Sequence, residues 1–175
     1  MRDTDYDRLV SVFLFTCGKE IDDNSLICHL FFAQKLGFNL DFNFKVNQRG
    51  VSSSKAESFL KDLIISGELS YDNERGLFTF PIRTNKDCVR VSADDFYLLE
   101  SISDVLSDLE SWELSFLVTL AIIQEDCFKR QGVNKVSFDE LRDGVISAMK
   151  RLCPNYTDDL FEGASSRLLI LYNLV

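Results

Sequence analysis

The chain contains one histidine, His29, so any catalytic dyad or triad built on imidazole would have to use it. Cys28 stands beside it, but consecutive helical residues point about 100° apart, a poor geometry for a thiolate–imidazole pair. The five cysteines are Cys17, Cys28, Cys88, Cys127 and Cys153. They include no C-x-x-C pair and supply no metal-ligand spacing around His29. Four of the acidic doublets (Asp22-Asp23, Asp94-Asp95, Glu125-Asp126 and Asp158-Asp159) are candidate raw material for acid–base or metal chemistry. Three of the four fall at expected helix starts, where carboxylates serve as caps and as partners of the helix dipole. The eight glycines are isolated stops or turns, and no phosphate-cradling loop is present. The sequence therefore assigns no catalytic residue, no metal ligand and no cofactor site, and reads as non-enzymatic.

What remains is binding chemistry. Arg49, Ser52, Ser53, Ser54, Lys55 and Arg75 combine hydroxyls at a helix start with nearby cations, which suits contact with DNA phosphates. The competing reading is that the serines cap the helix and the charges form a solvated face. A formal net charge of −9 counts against simple nucleic-acid binding. That charge is uneven: between Lys45 and Arg90 eight basic and six acidic residues leave +2, so the rest of the chain carries −11. Fifteen phenylalanines supply a large apolar surface without a polar handle. Phe31, Phe32, Phe38, Phe42 and Phe44 are accordingly candidates for a protein interface as well as for core filling. Phe31 and Phe32 are adjacent, so a helix carrying both must be covered on two sides, by the other half of the chain or by another chain.

The elements that must position these residues follow from periodicity and punctuation. Leu9, Val10, Val12, Phe13 and Leu14 predict a helix over 5–17, stopped at Gly18. After a turn at 21–25 with several candidate caps, Leu26, Ile27, Leu30, Phe31, Ala33 and Leu36 predict a second helix that ends at Gly37. Phe38, Leu40, Phe42, Phe44 and Val46 alternate, as in a short strand or an extended arm, and 47–50 is a turn. Ser52–Ser54 start a third helix, stopped at Gly67; strands over 69–71 and 77–82 flank a five-residue turn at 72–76. Helix, helix, helix, hairpin is the order of a winged helix-turn-helix.

The second half reads as all helix: 92–109, 114–128, 137–153 and a last helix after Asn155-Tyr156-Thr157-Asp158, with Gly132 and Pro154 as breaks. The 114–128 segment is apolar nearly all round and is the expected central helix. The apolar end, 168–175, is expected to dock as a last core element. The fold class expected is mainly α with a minor β component. A winged-helix module over 1–88 precedes a helical module over 89–175 packed on it, the two forming one compact unit or two small ones.

Several stretches resemble a family of bacterial and archaeal YwgA-like proteins. Leu26-Ile27-Cys28-His29-Leu30-Phe31-Phe32 is similar to that family's opening helix, although the family's lysine is missing here. Phe42-Asn43-Phe44-Lys45 through Gly50-Val51-Ser52 resembles its aromatic stretch before the third helix, with Arg49-Gly50-Val51 where Gly-Pro-Tyr would stand. Leu63–Leu69, Trp112–Ala121 and Cys153–Asp158 resemble its later segments. The resemblance implies a winged-helix-type fold and little chemistry. Related winged modules act as transcription regulators, antitoxin-like adaptors and small subunits of ATPase-driven defence or chromosome-organising complexes.

Compartment and class complete the expectation. Met1-Arg2-Asp3-Thr4-Asp5 is too acidic for a secretory leader, and an odd set of unpaired cysteines suits a reducing cytoplasm. The longest apolar run, 114–123, is shorter than the ~18 residues a membrane span needs. The function expected is that of a winged-helix adaptor, a subunit of a larger bacterial complex, defence-related and ATPase-associated, with a protein partner or a second copy and no small-molecule substrate. The alternative is a DNA-binding transcriptional regulator that uses the third helix and the hairpin.

Overall fold

A computed structural model describes residues 20–47, 50–79, 92–131 and 138–174. The expected helix over 5–17 lies outside them. The described residues are mainly helical, with two small antiparallel sheets. In chain order the elements are β1 (Glu20–Asp22), α1 (Asp23–Lys35), β2 (Lys45–Asn47), β3 (Gly50–Ser52), α2 (Ser54–Ile65), β4 (Ser70–Asp72) and β5 (Leu77–Thr79). Four helices follow: α3 (Ala93–Leu106), α4 (Ser111–Gln131), α5 (Phe138–Leu152) and α6 (Asp158–Tyr172).

Helix α1 holds the fold together. Asp22 caps it by accepting the backbone N–H of Ser25, and Leu36 and Gly37 close it, with Gly37 at φ +105°. Every residue from Ser25 to Ala33 is buried, so this helix has no solvent face. It packs on β1, β3, α3 and α4. Helix α4 in turn packs on α5, α6 and both strands of the β2–β3 hairpin. One apolar cluster, running from Ile21 to Leu171, joins both halves of the chain. The expected central role of the 114–128 segment holds: Leu114, Leu117, Val118, Leu120 and Ala121 are each 2% exposed or less.

Two sequence expectations need correction. Residues 38–44 alternate in burial as a strand would, yet pair with no strand. The side chain of Gln34 takes a strand's place: its Nε2 donates to the Phe42 carbonyl at 2.9 Å, and its Oε1 accepts the Phe42 N–H at 2.8 Å. Strand pairing begins only at β2, which forms a hairpin with β3 and thereby makes 50–52 a strand rather than the end of a turn. Residues 21–22, read as the start of a turn, join Glu20 to form β1. It pairs with β5, whose other edge takes β4, giving the order β1-β5-β4. Ile21, Phe78 and Tyr71 share one register row across that sheet, and the rings of Tyr71 and Phe78 lie 4.8 Å apart.

Caps elsewhere follow the sequence closely. Ser53, Ser92 and Thr157 each accept a backbone N–H from three residues on. Helix α3 ends at Leu106 rather than 109, because Arg167 of α6 reaches the Val105 carbonyl at 2.7 Å and holds Asp108 with both guanidinium nitrogens. A contact 59 residues away thus shapes the end of this helix.

Candidate interaction surfaces

The lone histidine has a structural place. His29 is 4% exposed, and its Nδ1–H donates to the Ser25 carbonyl at 2.8 Å, the nitrogen bearing the hydrogen because a carbonyl only accepts. Burial lowers its pKa, against the pull of that hydrogen bond and of Asp22. Cys28 is fully buried, and burial pushes its thiol up, away from the thiolate form.

Asp22, Ser25 and His29 sit on one turn-spaced row, but the hydroxyl of Ser25 donates to Asp22 at 2.6 Å rather than to the ring. The trio caps and tethers a helix. Asp22 also accepts from the hydroxyl of Ser111 at 2.8 Å, and Asn24 donates to the carbonyl and hydroxyl of the same serine. This network joins the start of α1 to the start of α4.

A pH dependence follows. The folded state prefers neutral His29, whereas the unfolded chain takes up a proton near pH 6.5. The depressed folded pKa means that stability is complete above pH 6.5 and falls as pH drops below it, by no more than about 1.4 kcal/mol per pH unit. No other side-chain type ordinarily titrates between pH 5 and 6.5. Urea unfolding at pH 7.5 and 5.5 should show the decline in the parent, and His29→Gln, which keeps a donor for Ser25, should flatten it.

The residues expected at a DNA contact are dispersed in role. Ser53 is 1% exposed and is occupied as the α2 cap. Ser52 is half-buried and accepts from Asn47. Ser54 is exposed. Lys55 is exposed but paired with Asp41, and Arg75 forms a two-nitrogen contact with Glu20. Arg49 lies outside the described residues. The ionisable residues along α2 are Lys55, Glu57, Lys61 and Asp62, two cations against two anions. The helix that would enter a groove of DNA thus presents no net positive charge.

The phenylalanines divide between two roles. Phe31, Phe32 and Phe38 are 6%, 0% and 2% exposed and belong to the shared core. Phe42 and Phe44 are half-buried. The rings form a continuous ladder: Phe32 to Phe31 at 5.1 Å, Phe31 to Phe44 at 5.4 Å, Phe44 to Phe42 at 6.1 Å, and Phe42 to Phe59 of α2 at 6.2 Å. The aromatic arm therefore straps α1 to α2.

The available apolar surface lies elsewhere. An open groove of about 510 Å³ runs between α2 and the three-stranded sheet, floored by Ile27, Leu60 and Phe78 and edged by Glu57, Lys61, Ile64 and Tyr71. Asp23, whose carboxylate accepts from the Tyr71 hydroxyl at 3.1 Å, stands at one end. A second apolar depression, of about 500 Å³, lies among α4, α5 and α6 beside exposed Phe128, Leu169 and Tyr172. The chain end is thus only half docked: Leu168 and Leu171 are buried, while Leu169, Ile170 and Leu174 are exposed. Neither surface carries a local sequence signal, because each is assembled from segments far apart in the chain.

No family model, curated protein or solved structure matches this chain. The surfaces themselves are therefore what bears on function. Among the described residues, no helix is long and apolar enough to cross a membrane, and no group of His, Cys, Asp and Glu is arranged to hold a metal ion.

Proposed function

We propose that this chain is a non-enzymatic winged-helix adaptor that docks an amphipathic segment of a protein partner between α2 and the hairpin. The carrying observation is the groove there: where a DNA reader needs cations, α2 offers an apolar stripe over Leu60 and Ile64 with balanced charge. The winged-helix reading is supported by the order strand, helix, helix, hairpin and by the sheet order β1-β5-β4, in which the wing's second strand pairs with the strand preceding α1. The β2–β3 hairpin is an insertion between the two helices. Resemblance to the YwgA-like proteins points the same way, toward a small subunit of a larger bacterial complex.

The groove's chemistry defines its occupant. Apolar side chains at helical spacing would fill the floor, and a basic flank would face Asp23 and Glu57. Ile64→Asp places a charge on that groove's apolar edge and should weaken partner binding at least tenfold, roughly 1.4 kcal/mol or more. The fold should be unaffected, since Ile64 is already 36% exposed. The test is quantitative affinity purification from native cells, followed by titration of the identified partner against parent and variant. Duplex DNA in a salt series is the counter-test. Affinity that falls steeply with salt and disappears on Arg49→Glu with Lys55→Glu would replace this reading with that of a DNA-binding transcriptional regulator.

A further inference from the structure

On the other side of Asn24 from that groove lies an open cleft of about 430 Å³, within the size range of small-molecule sites, about 300–1,000 Å³. Four segments distant in sequence wall it: the start of α1, Asn47 of β2 with Gly50 of β3, the first turns of α4, and the turn between α5 and α6. We propose that this cleft binds an uncharged sugar ring, free or as the ribose of a nucleoside, packed against Trp112 and hydrogen-bonded by Ser115 and Asn155.

The lining sets the ligand class. Among the described residues, those that line the cleft include no Asp, Glu, Lys or Arg. What lines it is aromatic and neutral polar. A sugar ring matches both, with an apolar C–H face for an indole and edge hydroxyls that exchange hydrogen bonds with hydroxyl and amide groups.

The site is also built rather than incidental. Trp112, 45% exposed, is held by its indole N–H, which donates to Glu110 at 2.6 Å, and Glu113 fixes Glu110 by accepting its backbone N–H. Ser115 has a hydroxyl with no hydrogen-bond partner among the described residues, although its carbonyl accepts from buried Thr119. Gly50 keeps the wall open: its φ is +111°, and a Cβ there would stand 3.1 Å from the Ser115 hydroxyl. A larger residue at position 50 would be strained and would crowd that hydroxyl. The network of Asp22, Asn24 and Ser111 fixes the remaining wall.

Trp112 is the chain's only tryptophan, so in the folded chain tryptophan emission arises at this cleft. The purified chain is titrated with adenosine and, separately, with N-acetylglucosamine, to about 10 mM, to cover the weak affinities of small neutral ligands. A saturable change with either supports the proposal, adenosine identifying a nucleoside source and the saccharide a free sugar. Ser115→Val and, at an exposed position that leaves folding untouched, Asn155→Ala should each weaken that ligand about tenfold. Ser166→Val on α6 should leave the affinity unchanged. Absence of saturation with both ligands, unaltered affinity in both cleft variants, or tighter binding of adenosine monophosphate than of adenosine would overturn it.

Discussion

Phe32→Ala should lower the free energy of unfolding by about 3–5 kcal/mol, a large part of the ~5–15 kcal/mol that holds a domain folded. The ring is fully buried, edge-on to Phe31, in a helix that has no solvent face between Ser25 and Ala33. The helix that carries it packs on β1 and β3 and on α3 and α4, elements from both halves of the chain. A cavity there cannot close by sliding one helix, because each wall is anchored to a different element. Urea unfolding followed by circular dichroism and by Trp112 emission should show both signals shifting together. Ile65→Ala, at 84% exposure, should stay within about 0.5 kcal/mol of the parent. If the far-ultraviolet signal moved while the Trp112 transition stayed in place, the shared core would be refuted.

Asp22→Ala should cost about 2–4 kcal/mol, unusual for a residue that is only partly buried. Its carboxylate accepts from the Ser25 N–H, the Ser25 hydroxyl and the Ser111 hydroxyl at 3.0, 2.6 and 2.8 Å. Removing it uncaps α1 and leaves two hydroxyls without their acceptor. It also removes one of the bonds between the starts of α1 and α4, leaving those from Asn24 to Ser111. Ser111→Ala alone should cost less, and the double variant less than the sum, because one bond is counted in both. Burial by itself raises the Asp22 pKa, but the hydrogen bonds from Ser25, Ser111 and Asn24 outweigh it, so the carboxyl lies below the ordinary aspartate range. The stability it contributes is therefore complete above about pH 3.9 and is lost as pH falls through the lower folded value. In Asp22→Ala that part of the acid limb should flatten, readable in thermal unfolding between pH 5 and 2.5. Additive losses for Asp22→Ala and Ser111→Ala would show that the two ends are not coupled.

The local features of this chain were largely legible. Helices over 23–35, 54–65, 138–152 and 158–172 follow from apolar periodicity, with Gly37, Gly67 and Pro154 as stops and serine, threonine or aspartate as caps. These signals lie within one or two turns of the residues they govern, so no partner is needed to read them. The adjacency of Phe31 and Phe32 also carried its message, since two consecutive large apolar residues on one helix require cover on two sides.

What escaped depends on contacts across the chain. Glu20–Asp22 is too short to show a pattern of its own and becomes a strand only because β5, more than fifty residues later, offers an edge. The aromatic alternation over 38–46 was real but ambiguous, because one glutamine on α1 can stand in for a neighbouring strand. Lys55 and Arg75 looked like a cationic surface until Asp41 and Glu20 were placed against them.

By itself the sequence determined the described helices, their caps and the β4–β5 hairpin, all properties of neighbouring residues. Only the tertiary structure decided that the aromatic residues fill a core shared by both halves, that α2 faces an apolar groove, and that Asn24, Gly50, Ser115 and Asn155 line one cleft. A surface is defined by which segments are left uncovered once the others have packed, and packing couples residues whose spacing along the chain carries no trace of it.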